Sequence, residues 1–297
     1  MQFIVASIIT ILIFCLFFIY SKYNMDKLMN YEINNRWGKV QNIEKSKVNF
    51  KFIKSYFYNT REGFFIDDIT WNDLNMDDMF KSMNNTMTSV GEEVLYNILR
   101  KPLFDEVKLK NRDKLISFFE KEEELSKRVQ SELWKLGKKK NISLSDYFYD
   151  DKKVVNSSKH KLILYNFLSI TPIIFSVLSV FNGIFFGAIA INIILNMYIH
   201  KITKDKYGNR ISDYIYMISI VNCAKKIYNL NLKEINENYK DIYSTLNKLK
   251  GISKSIFVDS TNATSDALAF NEVLSLFFLR EVRTFERINK TLYKNIN

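Results

Sequence analysis

Three long stretches without a charged residue constrain the fold of this chain more than any other feature. They cover residues 3–20, 162–181 and 183–199. A helix needs about 20 apolar residues to cross the hydrocarbon of a bilayer, where its backbone polar groups must be paired internally. We therefore predict an N-terminal anchor helix and a transmembrane helical hairpin that turns at Asn182-Gly183. A cleaved signal peptide and a buried soluble helix pair are the respective alternatives.

Lysine and arginine residues flank these stretches on one side only. They follow the first stretch and lie at both ends of the hairpin, whereas the hairpin turn carries none. Because cytoplasmic flanks are enriched in such residues, the sequence predicts a multi-pass protein of the cell membrane. Its N-terminus should lie outside, and residues 21–160 and 201–297 should lie inside, against membrane lipids. The flanking residues are Lys22, Lys27, Arg36, Lys39, Lys152, Lys153, Lys159, Lys161, Lys201, Lys204, Lys206 and Arg210.

The composition favours helices over strands. Only two prolines and eight glycines occur in 297 residues, which disfavours a turn-rich β architecture. We predict an all-α membrane protein with a cytoplasmic helical bundle. The expected segments are an anchor (1–21), a juxtamembrane linker (22–66), a first helical half (67–160), the hairpin (161–200) and a second helical half (201–297).

Cap and breaker residues divide the first helical half. A short helix should start near Thr70, with Asn72 or Asp73 as its cap. Ser89-x-x-Glu92 has the form of a capping box and predicts the start of the next helix. Pro102 should end that helix, because its ring clashes with the preceding turn. The buried face of this second helix is expected to hold Val90, Val94, Leu95, Ile98 and Leu99.

Three further helices follow from the pattern. Asp105 should cap a long one that ends at Gly137. Beyond the hairpin, residues 211–230 and 265–293 are expected to be amphipathic helices. The apolar run 273–279 is too short to span a bilayer and should pack against protein. The buried face of the long helix is expected to hold Leu109, Leu115, Phe118, Phe119, Leu125, Val129 and Leu133.

Residues 67–119 resemble the start of the MutS core domain. Two short segments, Trp71-Asn72-Asp73-Leu74 and Gly91-Glu92-Glu93, look more like those of a membrane-anchored bacterial branch of MutS-related proteins. Proteins of that branch also carry apolar helices. Ile98 stands where the family has a tryptophan. The matching positions, which we interpret as structural, are Asn85, Thr86, Thr88, Gly91, Leu95, Leu99, Pro102, Leu103, Leu109, Arg112 and Ile116.

The resemblance implies a machine driven by ATP, whose long lever helices change position and can hold DNA. Here the membrane hairpin stands in the place of those levers. MutS proteins finish with an ABC-type ATPase, and the sequence ends where that domain would begin. A phosphate-binding loop needs G-x-x-x-x-G-K-[ST], and the eight glycines do not form one. We therefore expect a non-enzymatic chain without cofactors.

Other chemistry is sparse in the sequence. His160 and His200 lie at the two ends of the hairpin. A place among the polar residues that flank a membrane segment explains them better than a metal site does. A net charge of +11 points to lipid headgroups or nucleic acid as partners. The strongest candidate for contact with a polyanion is the cluster Lys135, Lys138, Lys139 and Lys140.

Three functional hypotheses follow. The first is a membrane-anchored scaffold of MutS-core type that works with an ATPase on another chain, or with a second copy of itself. The second is a component of mismatch-repair type that binds DNA directly through its basic cytoplasmic surface. The third is a membrane sensor or transport-associated helical protein. The absence of charge within the three stretches argues against an ion or proton path.

Overall fold

The computed structural model describes residues 2–39, 48–139, 145, 159–230, 232 and 265–296. Within them the chain is helical and contains no β-strand, as predicted. The helices are α1 (Gln2–Arg36), α2 (Phe50–Ile53), α3 (Ser55–Thr60), α4 (Asp68–Asp73), α5 (Met76–Met83), α6 (Ser89–Arg100), α7 (Glu106–Lys121), α8 (Glu123–Leu136), α9 (Lys159–Leu178), α10 (Ile184–Tyr228), α11 (Ser265–Phe278) and α12 (Arg280–Ile296).

Helix α1 continues well beyond the apolar stretch at its start. Met29 and Ile33, in its second half, are buried against Trp134 of α8. The Trp134 indole N–H also donates a hydrogen bond of 2.8 Å to Glu32. Residues 22–36 therefore form a docked helix and not the first part of a linker over residues 22–66. The anchor role of residues 3–20 stays a prediction.

A small aromatic core joins α2 and α3 to the helices that follow. Ile53, Phe57, Trp71, Phe80 and Tyr96 are buried together in it. The Tyr96 ring lies 4.9 Å from that of Trp71 and 5.9 Å from that of Phe80, between centroids. Helices α2 and α3 supply two of the five core residues, so residues 50–60 pack as part of the helical domain that follows them.

Helix α4 begins directly after Asp67. The Asp67 carboxylate accepts a hydrogen bond of 2.7 Å from the backbone N–H of Thr70 and so caps the helix. The predicted caps, Asn72 and Asp73, lie in the last turn instead. An N-cap must precede the free amides of the first turn, so the cap lies upstream of both.

Helix α6 turns only part of its predicted face to the protein interior: Val90, Leu95 and Leu99 pack against buried clusters. Tyr96 and Arg100 are fully buried, whereas Val94 and Ile98 are exposed. An aromatic ring and a guanidinium therefore occupy the places expected for aliphatic side chains. Hydrophobic periodicity gives no weight to a buried arginine, which is why the prediction failed here.

Arg100 links the end of α6 to the start of α4. Its guanidinium donates hydrogen bonds to the carbonyl oxygens of residues 66 and 67 (2.7 and 2.9 Å) and to the Asp68 carboxylate. Its Nε–H donates to the Tyr96 hydroxyl at 2.9 Å, and its Cζ lies 4.4 Å from the ring centroid of Trp71. Burial of this cation is tolerated because it is both paired and hydrogen-bonded.

Two helices replace the single long one predicted after Pro102. Asp105 caps α7 by accepting a hydrogen bond of 3.1 Å from the Lys108 backbone N–H, as predicted. The chain then breaks at Glu122, and α8 starts at the next residue. Gly137 ends α8 with a φ of +63°, a conformation that glycine adopts without steric cost.

The two helices differ in burial. None of the side chains of α7 is buried, and Leu109 and Ile116 are exposed, so the buried face predicted for this part is wrong. Helix α8 buries Val129, as predicted, together with Trp134 and Leu136. Helix α7 therefore lies on the surface of the bundle, and α8 lies inside it.

Among the described residues, two helical segments are long and apolar enough to cross a membrane, by length and composition: His160–Leu178 and Ile184–Gly208. They pack against each other as a hairpin, and its turn is closed by the Asn182 side chain, which accepts a hydrogen bond from the Ile184 N–H at 3.0 Å. Large apolar side chains on this hairpin remain exposed, among them Ile163, Phe167, Ile173, Val177, Phe181, Ile184, Ile191 and Ile194.

Helix α10 leaves the hairpin without a break. It has 45 residues, which at 1.5 Å per residue gives a length of about 67 Å. The amphipathic helix predicted over residues 211–230 is its distal part. Helices α8, α9, α11 and α12 all pack against it. Helix α10 is therefore the element that connects the apolar hairpin to the rest of the bundle.

The last predicted helix, 265–293, is two helices. They meet at Leu279, a fully buried residue whose φ is +48°. Ser275 and Val282 on either side of it are fully buried too, so this region packs against protein as predicted. Phe285 of α12 lies over Tyr207 and Tyr214 of α10, with centroids 5.2 and 5.7 Å apart.

Candidate functional site: a junction and a lysine pocket

The turn before α6 holds the first of the residues that resemble the MutS motif. The Asn84 side chain accepts hydrogen bonds from the N–H and hydroxyl groups of Thr86, at 3.3 and 2.6 Å. Thr88, and not Ser89, caps α6 by accepting a hydrogen bond of 3.0 Å from the Gly91 N–H. The capping box predicted from Ser89 is therefore displaced by one residue.

Gly91 is required where it lies because the turn packs directly against it. A Cβ atom at this position would be 3.1 Å from the Thr88 hydroxyl oxygen and 3.2 Å from Cβ of Thr86. Both distances are shorter than nearly all such contacts in proteins. Thr86, Thr88 and Gly91 thus form one compact unit that fixes the direction of α6.

The other motif residues are spread over the helices before the hairpin. Leu95 and Leu99 pack against the aromatic core. Pro102 and Leu103 lie half-buried between α6 and α7, and Arg112 is exposed on α7. Asn85 closes a backbone turn onto the Met83 carbonyl at 2.9 Å. The structure therefore brings together Thr86, Thr88 and Gly91, and does not bring Arg112 to them.

Three helices meet at the hydroxyl group of Tyr216. This hydroxyl donates a hydrogen bond of 2.8 Å to the Gly137 carbonyl at the end of α8 and accepts one of 3.2 Å from the Ser89 N–H at the start of α6. The Ser89 hydroxyl completes the contact with the backbone N–H of Lys139, at 2.9 Å. We call this meeting of Ser89, Gly137, Lys139 and Tyr216 the junction. It joins the helices before the hairpin to the distal part of α10.

A small core lies beside the junction. Leu136, Tyr216 and Cys223 are buried together, with Val90 packed against them. Burial, with the nearby Glu132 carboxylate, raises the pKa of the Cys223 thiol to about 11. Cys223 is therefore a protected, protonated thiol at neutral pH, and its chemical accessibility reports on whether the junction is closed.

The predicted polyanion-binding lysines are mostly paired with carboxylates. Lys135 lies 2.8 Å from Glu132, and Lys138 lies 2.6 Å from Glu92. Lys139 lies 2.8 Å from Asp213 of α10. Lys140 lies outside the described residues. The cluster is therefore not a row of free cations, and Lys138 and Lys139 instead help to fasten α8 to its neighbours.

A cavity of about 450 Å³ opens beside the junction, between the end of α8, the middle of α10 and the start of α12. We call it the lysine pocket. Three lysines from two parts of the chain line it, and the Glu281 carboxylate and several small or apolar residues complete its wall. The residues that line it include Lys138, Lys139, Lys204, Gly208, Ser212 and Glu281.

Polar side chains inside the hairpin tie it to the α11–α12 turn. The Asn192 amide donates to the Thr171 hydroxyl at 2.6 Å. Asn196, which is fully buried, donates to the Phe277 carbonyl at 2.7 Å, near the end of α11. His200, one helical turn further along, lies 3.5 Å from the Glu281 carboxylate. The turn between α11 and α12 is thereby fixed to one face of α10.

The two histidines do not form a metal site. His160 is exposed, whereas His200 is buried and paired with Glu281. Among the described residues there is no group of three or more side chains of the kinds that hold a metal ion. The sequence analysis missed the His200–Glu281 pair and the role of Tyr216, because both depend on contacts between residues 79 or more positions apart.

Comparison of the chain with protein-family models, with curated proteins and with solved structures found no match. The residues that can carry a function are thus those that the geometry brings together. They are the junction around Tyr216, the lysine pocket and the polar contacts within the hairpin. All three lie along α10, between the apolar hairpin and the helical bundle.

Proposed function

We propose that this chain is a non-enzymatic, membrane-anchored scaffold of MutS-core type, which works with an ATPase carried on another chain. The hairpin holds it in the cell membrane, with the remaining helices in the cytoplasm. Helix α10 then couples the two parts. The observation that carries the proposal is the continuity of this helix, which is unbroken from the hairpin turn to a point beyond the junction.

The exposed surface of the hairpin supports its place in lipid. Phe181, Ile184 and Ile163 have exposed fractions of 82%, 74% and 65%. Exposed apolar surface of this extent is unfavourable in water, whereas it costs nothing against lipid tails. Thr171, Asn192 and Asn196 are buried inside the hairpin, and the Asn192 amide donates to the Thr171 hydroxyl.

The resemblance to MutS remains part of the proposal. It is supported by the compact turn that Thr86, Thr88 and Gly91 form before α6. It is supported also by the hairpin and the long helix α10, which follow the first helical half at the place where the family has lever helices. In this scheme α10 takes the part of a lever.

A partner ATPase needs a surface on which to dock. The described apolar side chains of α12, those of Val282, Phe285 and Ile288, are buried and so offer no docking surface. An exposed aromatic pair lies elsewhere on the cytoplasmic part: Phe64 and Phe104, with centroids 5.5 Å apart. We assign the ATPase contact to this pair.

The test is capture of the partner from native membranes in non-ionic detergent, followed by labelling with a photoreactive ATP analogue. We expect the tagged chain to bring down an ATP-labelled protein, and the Phe64→Ser/Phe104→Ser variant to lose it. The matched control is Ile163→Ser/Phe167→Ser, which changes two equally exposed residues of the hairpin and should keep the partner. Capture without an ATP-labelled band, or ATP hydrolysis by the purified chain itself, contradicts the proposal.

Direct DNA binding is the less favoured function. It needs several unpaired cations on one surface, and Lys135, Lys138 and Lys139 are each held by a carboxylate. Measurement of salt-dependent DNA binding by the full chain in detergent separates the two functions. The scaffold proposal predicts no binding to duplex DNA at physiological salt.

A further inference from the structure

We propose that residues 273–281, at the turn between α11 and α12, enter the cytoplasmic half of the bilayer, so that lipid is the partner of their outer face. We call them the re-entrant turn. The inference rests on the proposed function, because it requires the α9–α10 hairpin to cross the membrane. It moves into the bilayer a segment that the flanking charges predict for the cytoplasm. The carrying observation is the hydrogen bond of 2.7 Å from Asn196, deep in the apolar segment of α10, to the Phe277 carbonyl.

The depth of the turn follows from the helices that hold it. Asn196 lies twelve residues after Ile184 and eight before Lys204. At 1.5 Å per residue, these separations are about 18 Å and about 12 Å along α10. The Asn196 amide also donates to the Leu168 carbonyl at 3.2 Å, near the middle of the apolar segment His160–Leu178. Both helices of the hairpin therefore place the re-entrant turn inside the hydrocarbon, beyond the level of Lys204.

Helices α11 and α12 enter and leave on the same side. On α11, Glu272 pairs with Lys204 at 2.7 Å. On α12, the Phe285 ring lies over that of Tyr207, with centroids 5.2 Å apart. Lys204 and Tyr207 belong to one turn of α10, so both limbs leave its level, and they meet at the level of Asn196. A segment that enters and leaves a bilayer on one face is re-entrant and does not add a span.

The apolar run of the turn has the length that this depth requires. Residues 273–279 lie between Glu272 and Arg280 and carry no charge. As a helix, seven residues cover about 10 Å, which is close to the distance along α10 from Lys204 to Asn196. The run is therefore too short to cross the bilayer but long enough to reach this depth. Helix α11 also packs against α1, α9 and α10, the three helices that contain the long apolar stretches.

The break between the two helices is compatible with this depth because protein encloses it. Leu279, where φ is +48°, is fully buried, and so are Ser275 and Asn196. The Asn196 amide supplies a donor to the last turn of α11, where carbonyl groups lack intrahelical partners. Irregular backbone occurs within a bilayer only where it is buried in protein or lines a cavity. The outer face, which includes the exposed Val273, is apolar.

The first turn of α12 carries charges that must be kept from lipid. Glu281 lies 3.5 Å from His200, which is buried. Ionisable residues at membrane depth face the protein and pair with one another in this way. Arg280 and Arg283 are half-buried, and an arginine can direct its guanidinium to the interface while its stem lies along apolar surface. The charged limb is therefore the one that returns toward the cytoplasm.

Spin labelling of the full chain in phosphatidylcholine vesicles tests the inference. Cys15 and Cys223 are replaced by serine, and a nitroxide is attached to one added cysteine. Collisions of the nitroxide with oxygen, which concentrates in lipid, are compared with collisions with a water-soluble nickel chelate, and their ratio gives the depth. The labelled variants are Phe278→Cys in the re-entrant turn, Val273→Cys on its outer face, Ile194→Cys on the exposed side of α10 and Val107→Cys on α7.

We expect the label of Phe278→Cys to lie in lipid, within about 5 Å of the depth of Ile194→Cys, which is one helical turn. The label of Val273→Cys should be about 7 Å shallower, since it lies five residues back along α11. Val107→Cys is the matched control for Val273→Cys, because it replaces another exposed valine of a helix. Its label should collide mainly with the nickel chelate.

Preference for the nickel chelate at Phe278→Cys and Val273→Cys, with the label of Ile194→Cys in lipid, overturns the inference and leaves the proposed function standing. Val273→Cys changes a surface residue, so its result decides the question if Phe278→Cys does not fold. If the label of Ile194→Cys lies in water, the hairpin does not cross the membrane. The scaffold proposal then fails, and the inference that rests on it fails too.

Discussion

The Tyr216 hydroxyl should hold the junction closed, and Tyr216→Phe removes that group alone. The ring stays in its core with Leu136 and Cys223, but the Gly137 carbonyl and the Ser89 N–H lose their partner. Each hydrogen bond contributes about 0.5–1.5 kcal/mol net, and a buried group left unpaired costs about 1–3 kcal/mol. We expect the junction to be destabilised by about 2–4 kcal/mol.

Cys223 gives a direct assay for this opening. In a Cys15→Ser background, N-ethylmaleimide reacts with the buried thiol only when the surrounding core opens. Under conditions where opening and closing are faster than labelling, the rate follows the population of the open state. At a factor of ten for each 1.4 kcal/mol, Tyr216→Phe should raise the labelling rate by about 30- to 700-fold.

Tyr207→Phe is the matched control, since Tyr207 lies in the same helix and contacts Phe285 through its ring. It should change the labelling rate by about twofold at most. If Tyr216→Phe labels at the wild-type rate while both variants are fully folded, the hydroxyl does not hold the junction. The proposed connection between the two helical halves would then be wrong.

Three further predictions concern the stability of the helical bundle, each measured by unfolding of the full chain in detergent. Gly91→Ala should destabilise the protein by about 1–3 kcal/mol, because the added Cβ forces Thr88 to move. In Gly208→Ala the nearest contact of the added Cβ is at 3.5 Å, so this control should stabilise α10 by about 0.5–1 kcal/mol. Equal effects of the two substitutions would refute the role given to Gly91. Arg100→Met should lower the free energy of unfolding by about 3–5 kcal/mol, since it leaves two backbone carbonyls and a carboxylate without their donor. A loss below about 1 kcal/mol would contradict the role given to Arg100. Partial burial of Asp68 opposes ionisation, but hydrogen bonds from Arg100 and Tyr58 outweigh it and lower the pKa of this carboxyl group. The stabilisation from the ionised carboxylate is thus present at neutral pH and fades as the pH falls below about 4. Asp68→Asn should therefore reduce the loss of stability in acid, and an unchanged loss would count against the Asp68–Arg100 pair.

Local stereochemistry made several features predictable. A proline after a helix, an aspartate at the start of one and a glycine at the end of one act through their own backbone and nearest amides. Pro102, Asp105 and Gly137 therefore lie where the sequence predicts them. The two hairpin helices were predictable for a similar reason, because length and absence of charge are properties of a segment by itself.

Features that depend on distant partners were not predictable. Arg100 is buried because residues 66–68 and the ring of Trp71 surround it, and nothing in α6 alone indicates those neighbours. Residues 50–60 look like a linker by themselves, but Ile53 and Phe57 find a core that later helices supply. Hydrophobic periodicity describes one helix at a time and so cannot identify such places.

The candidate site shows the same division. The turn at Thr88 and Gly91 was recognisable from its residues, although the cap proved to be Thr88 and not Ser89. Lys138 and Lys139 of the pocket were recognisable as part of a basic run, whereas Lys204 was recognised only as a flank of the hairpin. Their pairing with Glu92 and Asp213 was not, because the partners lie on α6 and α10.

The central claim is that the hairpin crosses the membrane and leaves both helical halves on one side of it. Single cysteines at Asn182, Lys110 and Lys226, in a background with Cys15 and Cys223 replaced by serine, test this with a membrane-impermeant maleimide. We predict that Asn182→Cys is labelled in intact cells, whereas Lys110→Cys and Lys226→Cys are labelled only after the membrane is opened. Labelling of all three in intact cells, or protection of Asn182→Cys together with recovery of the chain in the soluble fraction, would contradict the account.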